Sequence, residues 1–493
     1  MACSRILPAL LILSTHVAAQ PHPIATDLAT HISRAPASLT SGVQIRRLRD
    51  GQIIAAHNEK TPLIPASNQK LLTSWAAAEL LGSDFAFETI LARSGEDLIV
   101  FGAGDPSLGD PRLADAAGVD VGFIFERWAA ALLQRHIRSV RHIFVDDSLF
   151  EGPAPHPTWP ADQRLRWYQA EVGALNFHTN CLDLFTSLQA GQPVVRIRPQ
   201  NDFTTIDNRL RGTNDARQQD VVDPWRPPDS NLFRVQGTVR RGISAPVSVT
   251  VRDPGLFFAH AMKTALHQHG VTTTGDISRA PFRLPAKRMA IPTELETIAI
   301  FQTPLQTCLQ RTNQQSQNMY AEALFLALSA YRAEATPAAT AGTAKLPQAQ
   351  GTWADSARLL NTLLARYNVA PAELAIADGS GLSRSNRISA AALCAVLTAA
   401  WNAPWREQWL ETLPTGGQAD STLRSRHALA QGPIAGRVHA KTGYIRGVSA
   451  LSGYVHAASG EWYSFCILCN NVADLAAART LQDRIVRSIF ERG

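Results

Sequence analysis

The chain predicts an α+β fold: a helix–antiparallel sheet–helix unit interrupted by inserted, β-rich material. Three observations carry that expectation. Val43-Gln44-Ile45 and Gln52-Ile53-Ile54 flank the turn Arg49-Asp50-Gly51, which predicts a hairpin near the start. Near the end, apolar runs over 438–442, 448–455 and 462–468 predict antiparallel strands, and 475–492 a closing helix with Leu481, Ile485 and Ile489 on one face. From 90 to 290 the texture changes to short β-rich runs broken by Gly and Pro, with helical pieces such as Phe125–Gln134.

A length of 493 residues allows several domains and an ordinary enzyme-sized core. With 45% hydrophobic and 18% charged residues, the chain is neither wholly disordered nor collagen-like. The formal charge is +6, but the cations are scattered, and the densest run, Arg46-Arg47-Leu48-Arg49, sits beside Asp50 as a solvated strand edge. A basic stripe interleaved with aromatic residues is missing, so no nucleic-acid partner is expected. Only six of the 47 basic residues are lysines. Arginine is the default cation here, so each lysine invites a question, because its amine can readily give up a proton.

Taken in chain order, residues 1–19 read as a removable export signal. Arg5 precedes the apolar run Ile6–Leu13, and Val17-Ala18-Ala19 offers small residues for cleavage. That run is well short of the ~20 apolar residues that span a bilayer. The sequence therefore predicts an exported, periplasmic and soluble protein with no membrane anchor. Pro65-Ala66-Ser67 leads into a helix striped by Leu71, Leu72, Trp75, Ala78 and Leu81 and stopped at Gly82. Helical signals return after Thr303 and continue from Asn318 to Tyr331. The Ala/Thr-rich stretch 333–350 lacks periodicity and reads as a mobile loop. Cys181, Cys308, Cys394, Cys466 and Cys469 follow the signal, an odd number whose pairing spacing cannot fix. Cys466 and Cys469 lie three apart on a strand, so their thiols should diverge into core packing. His267-Gln268-His269 lacks a third ligand nearby, and neither a metal nor a cofactor is expected.

Three short motifs carry chemistry. In Ser67-Asn68-Gln69-Lys70, helical spacing puts an amine beside a hydroxyl, with Cβ atoms roughly 5–6 Å apart. A serine hydroxyl needs a base, and lysine serves only if burial or nearby positive charge lowers its pKa. Amides at a helix start also favour an oxyanion there. Ser316-Gln317-Asn318 opens another helix: Ser316 could relay a proton, and Asn318 could hold an amide through its two-sided polarity. Lys441-Thr442-Gly443 ends a strand, where a cation and a hydroxyl beside glycine would clamp a carboxylate. Taken alone, the first two spellings read as ordinary helix caps and the third as a strand end followed by a turn.

In the order S-x-x-K, S-x-N, K-T-G, the three resemble the motif set of the penicillin-recognising serine acyltransferases. Within that group the chain resembles the class C low-molecular-mass penicillin-binding proteins, the D-alanyl-D-alanine carboxypeptidase/endopeptidases of peptidase family S13. Gly102–Leu108, Val145–Phe150, Asp378–Arg384 and Leu413–Gly417 also fit, and the likeness spans nearly the whole mature chain. It implies a β-lactamase/transpeptidase-like catalytic domain over 20–89 and 292–493. An inserted domain is implied over 90–113 and 196–291, with a further domain nested in it over 114–195. Ser67 would attack the penultimate D-alanine carbonyl, with Lys70 as base, Ser316 as relay and Asn318 holding the amide. Lys441 and Thr442 would bind the terminal carboxylate. Backbone amides of Ser67 and of Tyr444, after Gly443, would form the oxyanion hole. The implied partners are peptidoglycan peptides and β-lactams, which would acylate Ser67. Two departures stand out. Tyr444 occupies a place where the family commonly has a hydroxyl residue, and the acidic and basic groups that read a diaminopimelyl end match only loosely, at Asp162 and Arg384.

Two other functions compete. A β-lactamase needs a deacylating base, and Glu171-Val172-Gly173-Ala174-Leu175-Asn176 offers one, but it precedes the S-x-N motif and its spacing is one residue too long. A catalytically vestigial cell-wall-binding protein would have no need of intact motif residues. The α/β-hydrolase elbow G-x-S-x-G does not occur.

Overall fold

A computed structural model describes residues 22–152, 155–280, 295–333 and 350–493. The expected export segment 1–19 and nearly all of the expected loop 333–350 lie outside the described residues.

The apolar runs at both ends of the chain meet in one five-stranded antiparallel sheet. Its order is Val438–Ile445, Val448–His456, Trp462–Asn470, Thr40–Arg47, Ile53–His57. The early hairpin docks on the late strands through pairs such as Val43 with Ile467. Helices Pro23–Ser33 and Leu475–Arg492 cover one face through Ile24, Leu28, Ile485 and Ile489. The other face meets Ala390–Asn402, and Gln69–Leu81 and Asn318–Ala333 complete the same core. Alternation along the strand sends Cys466 into the second core and Cys469 into the first, the divergence the spacing predicts. All five described cysteines are unbonded and buried. Burial pushes the thiols of Cys394 and Cys469 up to about 12, so they are poor nucleophiles.

The helix Gln69–Leu81 departs from its expected single stripe. Every residue from Gln69 to Ala78 is buried, because neighbours pack around the whole helix and the run Ala76-Ala77-Ala78 lets them come close. Lys70 is thus fully buried.

The inserted material has a core of its own, in which helices Phe123–Gln134 and Pro254–Gln268 pack on a mixed five-stranded sheet. That sheet has the order Ile277–Arg279, Ile143–Asp146, Asp97–Phe101, Ala86–Ser94, Glu296–Pro304. Two three-stranded sheets fall between residues 181 and 250. The pairing runs across the expected boundaries. Ile143–Asp146, from the expected nested segment, pairs in parallel with Asp97–Phe101 of its host, and residue 89 lies inside a strand. Residue 195 is also mid-strand, in Gln192–Arg198. Parallel partners lie far apart in the chain, so local texture does not reveal them.

One buried cluster ties the insertion to the site. Asp110 Oδ1 caps the helix Pro111–Ala117, while its Oδ2 accepts from Arg311 (2.7 and 2.9 Å) and from Tyr320 Oη (2.6 Å). Arg311 and Tyr320 belong to the two helices that flank Ser316, so the insertion grips both.

Candidate active site

Ser67 sits in the single 3-10 turn Ala66–Asn68, which runs straight into the helix bearing Lys70. Two non-glycine residues here have left-handed backbone, Ala66 at φ 46° and Ser316 at φ 59°. Such conformations are uncommon and cluster where surrounding structure holds a functional group in place. Glycine is required at two neighbours. A Cβ on Gly381 would lie 1.8 Å from the Ala66 carbonyl oxygen, and one on Gly443 would lie 2.9 Å from that of Pro65. The Gly379–Ser383 loop and the Lys441 strand therefore close tightly on the Ser67 turn.

Lys70 Nζ contacts Ser67 Oγ (3.0 Å), Asn318 Oδ1 (2.7 Å) and the Ser380 carbonyl oxygen (2.7 Å). The amide of Asn318 is oriented by Nδ2 donating to the Tyr168 carbonyl (2.8 Å), which turns its oxygen to the lysine. A neutral amine has two hydrogens and one lone pair. Asn318 and Ser380 offer only acceptors and take the hydrogens, so the lone pair is left facing the Ser67 hydroxyl. Burial lowers the Lys70 pKa to about 7, against the pull of Asp378 and Glu322. That is the state in which an amine can accept the hydroxyl proton near neutral pH.

Lys441 lies across the cleft, donating to Ser316 Oγ (2.8 Å) and to the Thr442 carbonyl (2.8 Å). Burial pushes its pKa well down, and the nearby Lys70 adds to the effect. Asn68, next to the candidate nucleophile, donates to the Lys441 carbonyl (2.7 Å) and accepts from Ser452 Oγ (2.8 Å), which stitches the turn to the sheet. On the open edge of this strand, Ala440 N donates to the Pro414 carbonyl (2.9 Å). Two-residue alternation directs the Thr442 and Tyr444 amides to that same edge.

The cleft between these groups encloses about 370 Å3, with Ser67, Ser316, Asn318 and Tyr444 in its walls. The first two motifs and the residue after the third thus converge on one space. Sequence reasoning missed several other lining residues: Gln163, Trp167 and Tyr168 from the insertion, and Leu382, Ile445 and Arg446. It also missed Glu322, whose signal was available: it lies four residues after Asn318, on the same helix face. The loose candidates stand at the edge. Asp162 is exposed beside Gln163, and Arg384 is exposed and donates to the Arg446 carbonyl (2.9 Å); neither is among the lining residues. Glu171 is elsewhere. Its carboxylate accepts from the Asp253 amide (3.1 Å) and faces Arg252 within the insertion, so it is no base for this cleft.

Comparison with known proteins points to the same family as the motif resemblance. The D-alanyl-D-alanine carboxypeptidase of Actinomadura sp. (strain R39) is 30% identical over 480 residues, covering 92% of this chain and 81% of its own. D-alanyl-D-alanine carboxypeptidase DacB of Haemophilus influenzae is 27% identical over 461 residues, covering 89% and 86%. The crystal structure of penicillin binding protein 4 (dacB) from Haemophilus influenzae has TM-score 0.71 at 24% identity, over 93% of this chain and 97% of that one, so the fold is shared. A second structure of that protein, at TM-score 0.70 and 22% identity, covers 94% and 99% and is complexed with a β-lactam. The model of the D-Ala-D-Ala carboxypeptidase 3 (S13) family matches residues 24–491, and the chain belongs to that family.

Proposed function

We propose that the protein is a serine D-Ala-D-Ala carboxypeptidase and endopeptidase of peptidoglycan, working through an acyl-enzyme at Ser67. The observation that carries this reading is the Lys70 amine, bonded to two pure acceptors with Ser67 Oγ as its third contact. In the reaction, Ser67 Oγ attacks the penultimate D-alanine carbonyl while its proton passes to Lys70. The oxyanion forms against the backbone amides of Ser67 and Tyr444, in the positive potential of a helix start. Lys441 donates to Ser316 Oγ, so the Ser316 hydroxyl hydrogen is free to turn toward the leaving nitrogen. The tetrahedral intermediate collapses, its C–N bond breaks, and the amine leaves with a proton delivered through Ser316. Water then hydrolyses the ester, with Lys70 again as base.

Lys441 and Thr442 bind the terminal carboxylate, and an arriving anion restores the charge that burial disfavours on Lys441. Asp162 and Arg384 reach the far end of the stem peptide from the cleft rim. β-Lactams acylate Ser67 in place of substrate. The substrate lies outside the cytoplasm, which accords with the export signal read at residues 1–19. Among the described residues, no helix is long and apolar enough to cross a membrane.

Purified monomeric and cross-linked muropeptides, incubated with the protein and read by mass, test the reading. Loss of one alanine from monomers and cutting of cross-bridges are expected, and both vanish in Ser67→Ala. Turnover by Ser67→Ala at the wild-type rate would end the proposal.

A further inference from the structure

Behind the Lys70 amine lies a fully buried carboxylate with no place in the three motifs. Glu322 Oε1 accepts from the Ser380 amide (2.7 Å), and Oε2 accepts from the Gly379 amide (3.1 Å) and Trp353 Nε1 (2.9 Å). The same Ser380 turns its carbonyl to Lys70 at 2.7 Å. From the other side, Thr73 Oγ1, one helical turn after Lys70, donates to the Gly379 carbonyl (2.7 Å). A Cβ on Gly379 would lie 2.5 Å from Phe325 Cβ, so the loop is pressed onto the Glu322 helix.

From this geometry we propose that Glu322 is a positioning residue for the Lys70 base. It holds the Gly379–Ser380 peptide against the amine, and its charge sets the pH at which the amine becomes free. The inference rests on Ser67 and Lys70 acting as described above.

Two physical arguments support it. All three partners of Glu322 are donors, so a proton on the carboxyl would have no acceptor among them, and the anion is the form this pocket accommodates. Burial and Asp378 press the other way, raising the pKa to about 7. Opposite charge near an ammonium stabilises it, so Glu322 and Asp378 counter the burial that frees the Lys70 amine. The remaining titratable groups around this pair are Lys441, across the cleft from Lys70, and His156, which packs edge-on against Trp353 (5.0 Å) and faces Asp378. Asp378 itself is committed to four donors: the Gly381 and Ser383 amides, Trp159 Nε1 and Asn386 Nδ2. Glu322 therefore orders the stretch next to Lys70, and Asp378 orders the rest of the same loop.

The test is the pH dependence of acylation by a fluorescent penicillin, expressed per titratable site, in wild type, Glu322→Gln and Glu322→Asp. Glutamine presents one acceptor oxygen to three donors and carries no charge. Its plateau rate should fall roughly 10–100-fold, and its acid limb should move about one pH unit toward acid, since the ammonium loses a favourable neighbour. Aspartate keeps the charge but shortens the reach, so the plateau should fall while the acid limb stays. A residue that merely supports folding would lower the number of titratable sites and leave both limb and plateau unchanged. An unmoved limb in Glu322→Gln, or a full plateau in Glu322→Asp, overturns the proposal. If Glu322→Gln yields no titratable sites, the Glu322→Asp plateau decides alone. Failure of the wild type to be labelled at Ser67 would instead strike the parent reading.

Discussion

Lys70 and Lys441 are both fully buried beside one cleft, yet Lys70 is faced by two carboxylates and Lys441 by another lysine. Burial alone drives each amine toward its neutral form. At Lys70, Asp378 and Glu322 pull part of the way back, and the balance falls at about 7. At Lys441 no carboxylate contributes, and burial and the nearby Lys70 both push the amine down. The contrast suits two kinds of work: a base must change protonation during every cycle, whereas a carboxylate clamp needs its positive charge only when an anion arrives. Lys70 thus has its partners in the free protein, and Lys441 has an incomplete set until substrate enters.

Replacing the base should have the largest effect. Lys70→Arg keeps a cation and donors toward Asn318 and Ser380 but cannot release a proton. Acylation by a labelled penicillin should fall by about 10³-fold or more. Near-normal labelling would remove the distinction between the two lysines.

Lys441→Ala should come next, because it removes one charge-assisted contact and the hydrogen bond that orients Ser316 but leaves the Lys70 base in place. D-alanine release should fall roughly 10–100-fold in kcat/KM, the range for a hydrogen bond to a charged group. A substrate amidated at its terminal carboxylate should lose much less. Equal losses for both substrates would show that Lys441 does not read the carboxylate. In the wild type, the acylation rate should drop about tenfold for each pH unit below the Lys70 value of about 7.

How much of this was legible beforehand differs between the two sides of the cleft. The hydroxyl–amine pair could be read from Ser67 and Lys70, because three residues of helix fix their distance. The closing helix 475–492 was read to the residue, because Leu481, Ile485 and Ile489 recur at helical spacing on one buried face. The carboxylates that set the balance at Lys70 were not read. Asp378 is brought there by a loop remote in sequence, and its meaning depends on Ser380, which the chain alone does not place beside Lys70. The pairing inside the insertion was hidden for a related reason: Asp97–Phe101 finds Ile143–Asp146 across intervening helices, with no local signal. Trp167 and Tyr168 carry no motif, and only the folded insertion brings them to the wall of the cleft that Ser67 lines.

The smallest expected effect is the most direct test of the contrast, since it reads the folded protein and not the reaction. An unfolded lysine keeps its proton up to about 10.5, whereas folded Lys70 releases it near 7. Between those values the unfolded chain holds more protons, so stability rises with pH across that window and is flat below it. Methionine has no such dependence. Lys70→Met should therefore show its greatest melting temperature relative to wild type at pH 7 and below, with the difference shrinking toward pH 10. Hydrogen bonds lost from Asn318 and Ser380 shift that difference by a constant and leave its slope intact. For Lys441, which burial and Lys70 both push down with no carboxylate opposing them, the window should open at a lower pH. The Lys441→Met difference should keep growing as pH falls below 7, where that of Lys70→Met has levelled off. Melting curves of the three proteins across a pH series decide it: if both differences level off at the same pH, the carboxylates behind Lys70 do not distinguish it from its neighbour.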